Sequence, residues 1–218
     1  MGAITDNADL WVEALLGTLK LFFGGGLLAL VLGTIVGAMR VSPVPIARAV
    51  GTFYVNTIRN TPLTLVFFGF AFALPPLIGV RASGGNEVLF AIGALGVYTA
   101  TYVAETIRSG INTVPVGQAE AARAIGLTFG QVMTLVVLPQ AFRSVIPPMM
   151  SVFIALLKNT TVAAGFSVLN LGSMRDWLSE RGENQLVVIL WMLVFFVVLV
   201  LLLSWAQRTL ENRWRVAR

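Results

Sequence analysis

The sequence predicts an all-α integral membrane protein with five transmembrane helices, its N-terminus outside and its C-terminus in the cytoplasm. Composition, the apolar runs and the placement of arginine carry that reading. Of 218 residues, 57% are hydrophobic and 11% charged, with a mean hydropathy of +0.85; soluble domains carry roughly 25% charged residues. The formal charge of +5 contains no basic run, and basic residues flank membrane spans for topological reasons. Lipid, and no nucleic acid, is therefore the expected surrounding. Cysteine and histidine are absent, which removes disulfides, thiol nucleophiles, most zinc and haem sites and histidine proton relays. No catalytic, metal or cofactor site is expected on this chain.

Crossing a hydrocarbon layer of roughly 30 Å takes about 17–25 apolar residues. Runs of that kind lie at 12–39, 62–80, 88–107, 143–166 and 185–206. The first is too long, and its flank of Asp6, Asp9 and Glu13 too acidic, for a cleaved signal peptide. Gly33 and Gly37 form a GxxxG pair in it, a close-contact face expected to serve packing within the chain. Pro43 and Pro45 in "VSPVPIARAV" (41–50) stop that helix and start a turn followed by an interfacial helix. "GTFYVNTIRN" (51–60) is then expected at the cytoplasmic membrane surface, leading into the second span.

Orientation follows the arginines. Alternate connections hold Arg40, Arg48 and Arg59; Arg108, Arg123 and Arg143; and Arg208, Arg213, Arg215 and Arg218. The opposite side holds only Arg81, Arg175 and Arg181. The third connection, about 109–140, and the C-terminal tail are thereby placed in the cytoplasm.

Within that third connection Pro115 suits a helix start and "GQAEAARAI" has high helix propensity. Gly126 suits the helix stop, and Thr128 with Gln131 fits a capping box for a second short helix ending near Pro139. Glu120 falls in a first turn, where the macrodipole favours a carboxylate. These features alone fit either a well-capped connector or a small-residue knob for a partner's groove.

Ionisable residues inside spans are costly and usually functional. Lys158 stands about 15 residues into span four, roughly 21–23 Å from its start. With Asn159, Thr160 and Thr161 it makes a polar break suited to a zwitterion, the ammonium meeting a carboxylate. Pairing with a partner subunit, or snorkelling outward, stays open for Lys158. Asn60 and Thr61, before Pro62, are expected to unwind the start of span two and line the same path. Arg59 and Glu105 are placed for a pair across two helices, as a structural brace or gate. The charged stretch "GSMRDWLSERGEN" (172–184) reads as a solvated outer loop, with covering the path or meeting a partner protein as the sharper alternative.

Glu120-Ala121-Ala122, three residues, Gly126, nine residues, Val136, one residue and Leu138-Pro139 resemble the EAA loop of permease subunits of bacterial ABC importers. That pattern is E-A-A-x3-G-x9-I-x-L-P, and Val136 for Ile is the only departure. "VNTIRNTPLTLVFF" (55–68), "YVAETIRSGINTVPVGQAEAARAIG" (102–126), "LPQAFRSVIPP" (138–148) and "ALLKNTT" (155–161) resemble the polar amino-acid branch, nearest to actinobacterial glutamate permeases.

The resemblance implies a single permease domain over 1–218 with the type I importer fold, in the bacterial cytoplasmic membrane. It implies that Gly117, Glu120, Ala121, Ala122, Gly126 and Leu127 form a coupling helix seated in an ATPase subunit. It further implies two ATP-binding subunits carrying the ATP and Mg, a second permease that is related or identical, and an extracytoplasmic amino-acid-binding protein. The sequence agrees on one point directly: G-x-x-x-x-G-K-[ST] is absent, so ATP is expected to be hydrolysed on another chain. The alternative is a secondary amino-acid transporter or channel working without ATP; the lack of histidine and the few acids within the spans speak against proton coupling. An enzyme is excluded further by the lack of paired carboxylates, a nucleophile elbow or a metal cluster.

Overall fold

A backbone in lipid must satisfy its own hydrogen bonds, so each apolar run has to be a helix. The computed structural model describes residues 2–81 and 84–214, and within them the runs are helical. The basic tail residues Arg215 and Arg218 lie outside the described residues. After a single turn, α1 (Gly2–Thr5), come α2 (Ala8–Val41), α3 (Pro45–Arg59) and α4 (Leu63–Leu77). They are followed by α5 (Asn86–Asn112), α6 (Val116–Ala124), α7 (Phe129–Phe166), α8 (Met174–Glu180) and α9 (Gln185–Trp214). Among the described residues four helices, α2, α5, α7 and α9, are each long and apolar enough to cross a membrane, and α3 with α4 passes the same test as a pair bent by 103°, the geometry of a broken span or a re-entrant loop.

The connection after α2 has the predicted turn and helix. The prolines do end α2, with Val44 extended and Pro45 opening α3. α3 is also held against the side of α5. Tyr54 donates from its hydroxyl to the Val97 carbonyl (2.7 Å), eight residues along α5 from Glu105, or about 12 Å at helical rise. Leu63, just past the break, packs with Leu21, Leu95 and Leu156 in the central core. The Asn60–Pro62 break therefore lies next to the central core of the bundle. A half-buried tyrosine hydroxyl needs a partner, and this bond ties α3 to α5.

α2 and α5 pack along their lengths, and Gly33 permits it. A Cβ at Gly33 would fall 2.5 Å from the Val103 Cβ and 2.8 Å from the Ala100 carbonyl oxygen. The GxxxG face therefore serves packing within the chain, as expected. The central core of Leu21, Phe67, Leu95 and Leu156 is fully or almost fully buried. A second cluster at the α8 end contains Trp11, Leu171, Met174, Leu178 and Val188, with Trp11 stacked on Phe195 at 5.1 Å.

Two further expectations are corrected. The stretch 172–184 is not a solvated loop: it contains α8, whose Met174 and Leu178 are fully buried. Arg181 Nη1 donates to Asn7 Oδ1 (2.7 Å) and Asn7 Nδ2 to Glu183 Oε1 (3.1 Å), which ties the segment to the start of α2. Nor does the helix begun at Thr128 end near Pro139. It passes through a π turn, Val132–Val137, and continues as one 38-residue helix, α7. Proline has no N–H and its ring crowds the carbonyl four residues back. Here the Leu138 N–H reaches five residues back to the Met133 carbonyl, and this widened turn accepts Pro139 without a break.

A candidate coupling helix and translocation groove

The opening of α6 and its close are both set locally. Pro115 is the N-cap, so Glu120 is the fifth residue of the helix and falls past the first turn where it was expected; the helix ends in a Schellman motif. The Leu127 N–H donates to the Ala122 carbonyl (3.2 Å) and the Gly126 N–H to the Arg123 carbonyl (2.9 Å). Gly126 holds φ at +91°, a left-handed conformation that costs an L side chain. Thr128 then starts α7 through a capping box: its N–H donates to Gln131 Oε1 (2.9 Å) and its Oγ1 accepts from the Gln131 N–H (3.4 Å).

Of the six coupling candidates, Gly117, Glu120, Ala121 and Gly126 are exposed. Ala122 is buried against Val132 and Val137, with Leu127 half-buried on the same cluster. Gln140 Nε2 donates to Gln118 Oε1 (2.5 Å). The inner face of α6 is thus fixed to the first turns of α7, while its outer face is free. That free face is small-sided and is flanked by exposed Val116, Ile125 and Phe129.

The polar break in span four coincides with a change of helix type. The α-helical part of α7 ends at Asn159 and a 3-10 stretch, Thr160–Phe166, follows. Thr160 Oγ1 donates to the Leu157 carbonyl (2.7 Å) and Thr161 Oγ1 to the Lys158 carbonyl (2.8 Å). Their protons are thus engaged, and Thr160 is fully buried; neither is a free donor for a ligand. Asn159 lines a groove of about 400 Å³ with Ser151, Val152, Ala155 and Leu156 of α7 and Tyr98, Thr99 and Tyr102 of α5. The Tyr98 and Tyr102 hydroxyls lie 3.0 Å apart. Lys158 is exposed and makes no ion pair among the described residues. It continues an exposed stripe of Ser144, Pro148, Ser151 and Ala155 along α7, a spacing that keeps residues on one helix face. At the bend between α3 and α4, Asn60 is exposed, and Thr61 Oγ1 donates to the Thr57 carbonyl (2.8 Å).

The Arg59–Glu105 pair is not formed. Glu105 accepts from Arg40 Nη1 and Arg108 Nη2 instead. α3 carries Arg59 past the level of Glu105, while Arg40, in the last turn of α2, is brought beside it by the α2–α5 packing. The Arg40 side chain is 11% exposed and its Nε is buried without a hydrogen-bond partner. Sequence reasoning missed Arg40, Tyr98, Tyr102 and Ser151. The i, i+4 pair of tyrosines inside an apolar span was the available signal.

A family model described as "Binding-protein-dependent transport system inner membrane component" matches residues 29–216. The glutamate transport system permease protein GluC of Corynebacterium glutamicum is 40% identical, with 92% of each chain covered. The probable glutamine ABC transporter permease protein GlnM of Bacillus subtilis is 36% identical over 95% of this chain and 94% of its own. Among solved structures, the crystal structure of "an amino acid ABC transporter with histidines" superposes with a TM-score of 0.89 at 26% identity, covering 96% of each chain. An inward-facing form of the MetNI methionine ABC transporter shares the fold, with a TM-score of 0.80 at 22% identity over 97% of this chain and 99% of that one.

The chain belongs to the inner-membrane components of binding-protein-dependent transport systems. It is a multi-pass permease subunit of an ATP-driven importer in the cytoplasmic membrane, a transport component and not an enzyme, with the ATPase on separate chains. That membership sets aside the ATP-independent transporter.

Proposed function

We propose that this chain forms, with a second identical or related permease, the path by which glutamate or another polar amino acid enters the cell. The whole of 1–218 acts as one permease domain, with its N-terminus outside and its C-terminus in the cytoplasm. Two ATP-binding subunits hold the ATP and Mg and seat α6 through Gly117, Glu120, Ala121, Ala122, Gly126 and Leu127. An extracytoplasmic binding protein delivers the substrate at the opposite end. The observation that carries this reading is that α6 is fixed to α7, and α7 bears both the exposed Ser151–Ala155–Lys158 stripe and one wall of the tyrosine-lined groove. A push on the small outer face of α6 therefore moves the wall that substrate touches.

Lys158 meets the substrate carboxylate, and Asn159 with the groove hydroxyls meets its ammonium. Asn60 and Thr61 line the same path at the break in span two, and the carbonyl-tied Thr160 and Thr161 shape it. The Arg40–Glu105–Arg108 cluster braces the α6 end of α2 against α5, while Arg59, free of Glu105, borders the path. The test is purification of the tagged chain from native membranes in mild detergent, as wild type and as Glu120→Arg. ATPase activity travelling with wild type and falling with the folded variant is the expected result. Undiminished ATPase association and uptake in Glu120→Arg would refute the role of α6.

A further inference from the structure

At the end of the bundle away from α6, a cleft of about 110 Å³ opens where α4, the start of α5 and the end of α7 meet. Phe67, Phe70, Phe90 and Phe166 wall it, and Glu87 and Ser167 supply its polar edge. Phe67 and Phe166 stack at 5.0 Å, so the wall is preformed. Glu87 stands in the first turn of α5, 23 residues from Gly110 and so about 35 Å from the α6 end. Its Oε2 accepts the Gly85 N–H (2.8 Å), and the carboxylate has no ion-pair partner among the described residues. Ser167 holds φ at 59°, the only positive φ among described residues other than glycine. That strain, concentrated at the rim of a cleft, suits a site more than a spacer.

A carboxylate without a counter-charge beside aromatic walls is chemistry for one class of ligand. An alkyl-covered ammonium group gains from the anion and from contact with the aromatic walls, and its weakly hydrated alkyl surface favours leaving water for a partly apolar cleft. An anion would be repelled, and a bare metal ion would find too few oxygens. We infer that this cleft binds an alkylammonium head group. Its binding stands independently of the importer reading; only its use, as the first stop for the ammonium of an arriving amino acid, rests on that reading. Entry would then be ammonium-first, with the carboxylate reaching Lys158 afterwards.

The probe is tetramethylammonium, followed by saturation-transfer NMR on the full chain purified in mild detergent with whatever subunits it retains. Tert-butanol serves as the neutral probe of similar shape. Glu87→Gln keeps an oxygen for the Gly85 N–H and removes only the charge. Saturation of tetramethylammonium that weakens roughly tenfold in affinity in Glu87→Gln, with little effect on tert-butanol, is expected from the loss of a partly desolvated charge pair. Equal saturation of both probes, or tetramethylammonium binding unchanged in Glu87→Gln, would overturn the ammonium site, as would no saturation at all. Because the readout is binding without nucleotide, its failure leaves ATPase association of the wild-type chain untouched, and the two readings fall separately.

Discussion

Two glycines in or beside α6 have open space around them, and the structure predicts opposite outcomes when each becomes alanine. A Cβ at Gly117 or at Gly126 meets nothing within 4 Å, so no clash contributes at either. Gly117 lies in the first turn of the helix, where alanine fits the backbone and stabilises by about 0.4–1 kcal/mol through lost unfolded-state freedom. Gly126 sits at φ +91°, where an L side chain costs about 1–2 kcal/mol. Gly126→Ala should therefore raise the local opening equilibrium about 5–30-fold. Gly117→Ala should lower it, and Gly126→Asn should fall between wild type and Gly126→Ala because asparagine tolerates the left-handed region. The assay is amide hydrogen exchange over 121–127 in the purified protein, under conditions where exchange follows the opening equilibrium. Protection in Gly126→Ala equal to or above wild type would show that the turn after α6 does not depend on a left-handed residue.

Three other outcomes follow from the packing and the charges. Gly33→Ala places a methyl against Val103 and the Ala100 carbonyl, so detergent-solubilised protein should lose about 1–3 kcal/mol; Gly69→Ala, with open space around it, should melt close to wild type. Glu105→Gln leaves the nearly buried Arg40 without its counter-charge and should cost about 1.5–3 kcal/mol. Arg59→Gln should leave the melting temperature close to wild type, and equal losses in the two variants would contradict the observed pairing. In proteoliposomes with the full set of subunits, Lys158→Gln should reduce amino-acid uptake at low substrate roughly tenfold, with Lys158→Arg retaining more. Uptake unchanged in both variants would leave Lys158 outside the path.

Local features of this chain were legible because their causes are local. Apolar length alone fixed where helices must run, since lipid permits little else. The Pro115 start, the Gly126 stop and the Thr128–Gln131 box were all readable, because each depends on the backbone within a few residues of itself. The EAA spacing was readable for the same reason, and it carried the family. Pro139 misled because a helix-breaking rule assumes α geometry, and the π turn before it removes that assumption.

What lies across helices was decided only by the tertiary structure. Arg59 and Arg40 are both arginines at the ends of apolar helices, and the sequence offers no way to rank them as partners of Glu105. The course of α3 along α5, marked by the Tyr54–Val97 hydrogen bond, and the close α2–α5 contact at Gly33 make that choice. Tyr98 and Tyr102 became one wall of a groove only when α7 brought Ser151 and Asn159 opposite them. A residue's span and depth follow from hydropathy and rise per residue, both properties of the chain alone. Which face meets which neighbour depends on how helices rotate and cross to bury their small residues, and that is settled by packing between segments distant in sequence.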